Sequence, residues 1–168
     1  MIQKYLNKLE YNLIIENLIK NCKTFIGKEI ASKLEPSSNV EKVSRTLEET
    51  SEAVNLFSKY GSFPISEIDD LTIGLKQIES YINLSAKNLL NFADILYMSK
   101  ELKDYHKDAQ EHSQYLDKYF DDLYINQDIE RKIHSSILSE DTIADSASPK
   151  LNQIRRNKKN LELQIKNT

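Results

Sequence analysis

Apolar positions recur at helical spacing along most of the chain, and the cleanest run lies near its start. Val40, Val43, Leu47, Thr50, Val54 and Phe57 form one stripe, which predicts an amphipathic helix of about five turns. Ser37-Ser38-Asn39 offers several caps at its start, Ser38 with Glu41 fitting a capping box, and Gly61 suits its left-handed stop. A helix of this pattern ordinarily buries its stripe, so Val40, Val43, Leu47, Val54 and Phe57 are expected to be the spine of the core. Upstream, Leu6 and Leu9 belong to a short helix. A bend follows at Glu10-Tyr11-Asn12, and then a helix to about Asn21 carrying Ile14, Ile15, Leu18 and Ile19. Phe25, Ile26, Ile30 and Leu34 predict a third helix, stopped by Pro36 because the residue before proline disfavours the helical region.

Beyond Gly61, Ser62-Phe63-Pro64-Ile65 reads as an extended linker whose two apolar residues dock on the core. Asp69 or Asp70 can cap a short helix with Leu71, Leu75 and Ile78. Ser85 can cap a long one with Leu89, Ala93 and Leu96 on one face. His106 to Ser113 is polar and expected to be exposed. Leu116, Tyr119, Phe120 and Leu123 predict a short tyrosine-rich helix, and Ile129, Ile133 and Ile137 another. Ile143-Ala144 is the one strand-like piece before the last element.

That last element begins at Asp145-Ser146-Ala147-Ser148-Pro149, a sharp turn into a long helix. Ser148 can accept from the first free N–H groups, and Pro149 sits where a missing N–H costs nothing. Leu151, Ile154, Leu161 and Ile165 then follow at heptad spacing with Lys158 in the slot between. The rest of that helix is Arg, Lys, Asn, Gln and Glu. No glycine, proline or capping residue closes it before Thr168. A narrow seam without a mate, on a helix without an end, points to an arm leaving a globular base. The expected division is therefore 1–144 as a helical core and 145–168 as the start of a coiled-coil arm, in an all-α fold.

Composition supports this and removes other classes. Charged residues make up 29% of the 168, with only three glycines and three prolines, so elements should be long. The formal charge of -3 argues against a dedicated duplex-DNA module, which ordinarily shows a basic balance. Cys22 is the single cysteine, which excludes an internal disulfide and fits a reducing, cytoplasmic setting. No apolar run approaches a membrane span or a secretion signal.

Catalytic chemistry finds little support. Gly27-Lys28 ends like a phosphate loop, but Cys22 and Glu29 stand where that loop needs a glycine and a hydroxyl. His106, His112 and His134 lie apart without further ligands at zinc spacing and read as surface residues. Asp69-Asp70 and Asp121-Asp122 are adjacent pairs, which on a helix point in different directions and serve better as caps or solvated face than as acid and base. Cys22, beside Leu18 and Ile19, reads as a small buried hydrophobe. No catalytic, cofactor or metal site is expected. The one charged group to weigh is Arg155, Arg156, Lys158 and Lys159: either phosphate contacts by a basic helix, or the solvated side of the arm with lysine stems along its seam.

Several blocks resemble the N-terminal region of the bacterial type-two MutS paralogues, ATPases with a C-terminal small-MutS-related domain. They are Leu9-Glu10-Tyr11, Leu34-Glu35-Pro36, Leu47 to Ala53, Pro64 with Ile68-Asp69-Asp70, and most specifically Asp145 to Leu151 with Ile154-Arg155. Asp141-Thr142 departs from a glycine-bearing turn usual in that family. The resemblance implies a helical core, or lever, region preceding the ATPase. The helix from Ser148 would be the outgoing half of an antiparallel clamp whose return helix lies beyond Thr168. It also implies a homodimeric parent that uses ATP and Mg and clamps branched DNA or collided ribosomes, in recombination control, repair or ribosome rescue. Its partners here would be the ATPase domain and the return helix of its own polypeptide. No phenylalanine is followed two positions later by glutamate, so the wedge of mismatch-reading relatives is absent. The alternative from the residues alone is a free-standing helical adaptor whose seam recruits a partner helix.

Overall fold

Side-chain caps start several helices of this chain, a proline opens one and a glycine closes one. The computed structural model describes residues 6, 8–109 and 112–166. Among these the chain is all-α apart from one small hairpin: α1 Tyr11–Asn21, α2 Phe25–Ser32, α3 Val40–Tyr60, α4 Thr72–Glu79, α5 Ala86–Ala109, α6 Asp117–Asp121, α7 Gln127–Ser136, β1 Ile137–Ser139, β2 Thr142–Ile143, a 3₁₀ turn Asp145–Ala147 and α8 Pro149–Lys166. The short helix expected before Glu10 falls largely outside the described residues. No described helix is long and apolar enough to cross a membrane.

The packing divides the chain into two units. One holds residues 1–70 and 98–125, the other residues 71–97 and 126–168. Helix α5 is shared, its first half counted with the second unit and its last half with the first. The boundary expected at residue 144 is not the one this packing makes, because the arm helix groups with α4, α7 and the hairpin.

In the first unit, Thr24 caps α2 by accepting from the Gly27 N–H at 3.0 Å, and Phe25 N donates to Ile68 O at 3.1 Å. The core gathers Leu56, Ala109 and Phe120, with Phe63, Leu102, Leu116 and Leu123 packed against them. The Phe63 ring lies 5.0 Å from Tyr105 and 6.5 Å from Phe120. Of the two linker residues expected to dock, Phe63 does so, while Ile65 is 37% exposed. The Tyr105 hydroxyl lies 3.1 Å from Leu56 O and 3.0 Å from Gly61 O and can donate to either. It thereby ties the end of α3, where Gly61 has φ 86°, to the last half of α5.

Helix α3 corrects the expected core spine. Val40, Leu47, Val54 and Phe57 are 80%, 62%, 58% and 53% exposed, and Val43 is exposed as well, whereas Leu56 is 2% exposed. The covered side of α3 carries Glu49, Glu52, Ala53 and Leu56. Two glutamates can sit there because both are answered: Glu49 pairs with Lys118 at 3.1 Å, and Glu52 accepts from the Tyr115 N–H at 2.9 Å. Paired and hydrogen-bonded charges tolerate partial burial, so the polar side of the helix, not its apolar stripe, faces the unit's core.

Local differences have similar causes. Of the caps that Ser37-Ser38-Asn39 offers, Asn39 is the one used for α3, accepting from Lys42 N at 3.0 Å, and the Ser38 capping box does not form the N-cap. Leu71 stands at the N-cap of α4 without a side-chain hydrogen bond, where Asp69 or Asp70 was expected. Ile137, expected in α7, begins β1 and pairs with Ile143 across a two-stranded antiparallel hairpin.

In the second unit, Ser85 caps α5 through Asn88 N at 3.1 Å. Gly74 of α4 is buried, and a Cβ there would stand 3.0 Å from the Phe92 ring. Glycine thus lets α4 approach α5 closely. Asn88 Nδ2 donates to Gln77 Oε1 at 3.0 Å across the same contact.

Candidate functional site

The base of the arm is built by short-range geometry. Ala144, 7% exposed, donates its N–H to Ser136 O at 2.9 Å and so fixes the exit of the hairpin against the end of α7. The 3₁₀ turn closes when Ala147 N donates to Ala144 O at 3.1 Å. Ser148, in extended backbone, accepts from Leu151 N at 3.1 Å through its hydroxyl and from Asn152 N at 3.1 Å through its carbonyl. Pro149 is the first helical residue. The cap and the proline act here as the sequence implies.

Arg155 is the clasp of this base. Its guanidinium donates to Ile143 O at 2.8 Å and pairs with the Asp145 carboxylate. Both contacts are made by Nη1, whose two N–H groups can serve the two acceptors. Arg155 is therefore engaged with its own chain, which separates it from the other three basic residues of the expected group. Lys158 stands 3.8 Å from Glu162 one turn on, with both side chains mostly exposed. Arg156 and Lys159 are exposed and have no protein partner among the described residues.

The seam residues differ along the arm. Leu151 is half-buried at the base, while Ile154, Leu161 and Ile165 are 54%, 59% and 75% exposed. Each residue of an α-helix turns by about 100°. Lys158 therefore lies within the stripe of Leu151, Ile154, Leu161 and Ile165, Arg156 nearly opposite it, and Lys159 about a third of a turn away. A mate seated on the seam would leave Arg156 and Lys159 open to a second, anionic surface. Six basic residues stand against one acidic residue over 149–166, so the arm carries a positive field although the chain as a whole is acidic.

A second polar cluster lies within the first unit and was not legible from the sequence. Asp117 accepts from Ser113 N at 2.8 Å. Its two oxygens also meet His106 Nε2 at 2.9 Å and His112 Nδ1 at 3.2 Å. Burial alone would raise its pKa; the Ser113 N–H and the two imidazoles outweigh that and hold the carboxyl below its ordinary value. His106, expected at the surface, stacks on Phe120 with ring centroids 4.3 Å apart, whereas the His112 side chain is fully exposed. Beside it, the Lys118 hydrogen bond is the main force holding the Glu49 carboxyl low, and the same bond holds the Lys118 ammonium high. These groups join α3, the end of α5 and α6 into one framework. No group of three or more His, Cys, Asp or Glu among the described residues is placed to hold a metal ion. The arrangement braces the three helices.

No family model matches the chain. Individual proteins do match it closely. An Endonuclease MutS2 of Acetivibrio thermocellus is 37% identical over 99% of this chain and 21% of its own length. Proteins of that name from Lactobacillus johnsonii and Ruminiclostridium cellulolyticum are 32% and 33% identical, again over 99% of this chain and 22% and 21% of theirs. The chain thus spans about a fifth of the length of the curated relatives it matches.

Proposed function

We propose that this chain, a relative of the MutS2 proteins along essentially its whole sequence, serves as a non-catalytic helical core region carrying the root of a clamp arm. The supporting observation is the contrast within α8: a root held by Ser148, Arg155 and Asp145, and a heptad seam exposed from Ile154 onward. A helix bound at one end and apolar along one stripe beyond it is suited to pair with a returning helix of the same polypeptide. The role of that pairing is mechanical: it makes a stiff arm from a helix that alone would fray.

In the complete protein, the core would pass nucleotide-driven shifts at an ATPase, using ATP and Mg, to a pair of arms in a homodimer. Close-packed helices transmit discrete shifts because their interiors deform poorly. The arms would close on an anionic, nucleic-acid-bearing target, branched DNA or collided ribosomes, in the cytoplasm, with Arg156 and Lys159 contacting phosphates. Loss of activity in this region would reflect lost clamping rather than lost chemistry, since the chemistry belongs to other parts of the protein.

Titrating the full-length protein with branched DNA and with ribosomes, each at low and high salt, tests the reading. Arg156→Ala with Lys159→Ala should weaken binding and flatten the dependence of log affinity on log salt by about two phosphate contacts. Unchanged affinity and slope for both targets would remove the basic face from the mechanism. Continuation of the reading frame past Thr168 into a phosphate loop separates this reading from a free-standing adaptor, for which a stop codon is expected there.

A further inference from the structure

We propose that the exposed seam of α3 is the seat of a helix from the remaining part of the same polypeptide. The proposal rests on the reading above that this chain is one region of a longer protein, and it assigns that protein an internal contact. Three observations support it.

First, the stripe has coiled-coil spacing. Val40, Val43, Leu47, Thr50, Val54 and Phe57 alternate by three and four residues over the whole of α3, the a and d pattern of a helix that pairs with another helix. All six are exposed, and Val43 and Leu47 continue into a groove walled by Leu34. Contiguous apolar surface of this kind marks an interaction site.

Second, the polar groups on the stripe are already satisfied. The Thr50 hydroxyl donates to Thr46 O at 2.8 Å, and the Thr46 hydroxyl to Lys42 O at 2.7 Å. Covering these hydroxyls would orphan no donor, so burial carries little of the usual polar penalty.

Third, the flanks carry no charge. The positions that border the seam hold Ser44, Thr46, Ser51, Ala53, Ser58 and Tyr60. Charges at such positions are what direct separate chains to the right partner and orientation. A seam without them takes its selectivity from elsewhere, and a covalent tether supplies it by raising the effective concentration of one mate. The relatives are about five times as long as this chain, so there is ample polypeptide to provide it. An obligate contact in cis also explains why the apolar side of α3 is left open while its glutamates face the unit's core.

The test uses the full-length protein carrying Leu47→Cys, with Glu48→Cys, one residue outside the seam, as the exposed reference. Maleimide labelling is read peptide by peptide by mass spectrometry. Leu47→Cys should react at least tenfold more slowly than Glu48→Cys, at every protein concentration. Equal rates would overturn the proposal. Protection that fades on dilution would assign the seam to a second copy and overturn the contact in cis. Carbene footprinting of the unmodified protein gives the same reading if the cysteine variant misfolds: low modification at Val43, Leu47 and Val54 is expected, and high modification contradicts it. Neither measurement involves nucleic acid, so failure of the clamp reading and failure of this contact are separately visible.

Discussion

Helices α3 and α8 carry apolar stripes of the same heptad kind, yet the protein holds them in opposite ways. Helix α3 is bound along its other side, through Leu56, Glu49 and Glu52, so its stripe is open while its backbone is braced. Helix α8 is held at its root, through Ser148 and Arg155, and its stripe is exposed from Ile154 onward. The difference teaches that a regular stripe marks a face meant to be covered but does not say by what. In α3 the core was made from the side that reads as polar. The criterion is whether a charged residue finds a partner, since an answered glutamate can sit at a covered position and an unanswered one cannot.

The largest expected effect sharpens this contrast within α3. Leu56→Ala should cost roughly 2–5 kcal/mol, as a buried leucine does, while Leu47→Ala in this 168-residue chain should stay within about 0.5 kcal/mol, as surface changes do. Denaturant melts of the two variants decide it, and similar costs would restore the stripe to the core. Next comes the root of the arm. Ser148→Ala removes the acceptor for Leu151 N and should cost about 1 kcal/mol, read as faster hydrogen exchange confined to the first turn of α8. An unchanged exchange pattern there would mean that Arg155 and Asp145 hold the root without the cap.

A pH dependence probes the brace of the first unit. The Asp117 carboxyl is held below its ordinary value in the folded state, so folding favours the ionised form. Its contribution is complete above the ordinary carboxylate pKa of about 3.9 and is lost as pH falls through the lower folded value. Asp117→Asn should be less stable than the parent at neutral pH and should flatten the acid limb of the stability curve. Parallel curves for the two proteins would show that Ser113, His106 and His112 contribute no net stabilisation through it. The smallest effect belongs to Arg155→Lys. The lysine side chain is one atom shorter and its nitrogen falls short of the Nη1 position that meets both Ile143 O and Asp145, so exchange at the root should rise several-fold with little change in the global melt.

Much of this architecture was legible beforehand. The order of helices, the break at Pro36, the Ser85 cap and the Ser148-Pro149 launch all follow from local chemistry, and local chemistry is what a single sequence displays. The similarity to MutS2 proteins was legible too. What was hidden depends on partners distant in sequence. The choice of buried face on α3 needs Lys118 and Tyr115 to answer Glu49 and Glu52, more than sixty residues away. Asp117 became a hub because the backbone of Ser113 and a histidine from α5 turn toward it, and nothing in its immediate neighbours announces that. The end of α4 was hidden for a different reason. Tyr81 takes the left-handed conformation at φ 55° that a glycine would have signalled. On the arm, the basic residues read as one group, but Arg155 alone lies within reach of the hairpin carbonyl and the Asp145 carboxylate.

Hydrogen exchange along α8, in the 168-residue chain at low concentration, tests the central claim most directly. A root held by its cap and clasp beside an unmated arm predicts a gradient: slow exchange from Asn152 to Arg155, and rates close to those of open chain from Leu161 to Lys166. Uniform strong protection through Lys166 in a dilute monomer would contradict it, because the far half of the helix would then have found its mate within this chain.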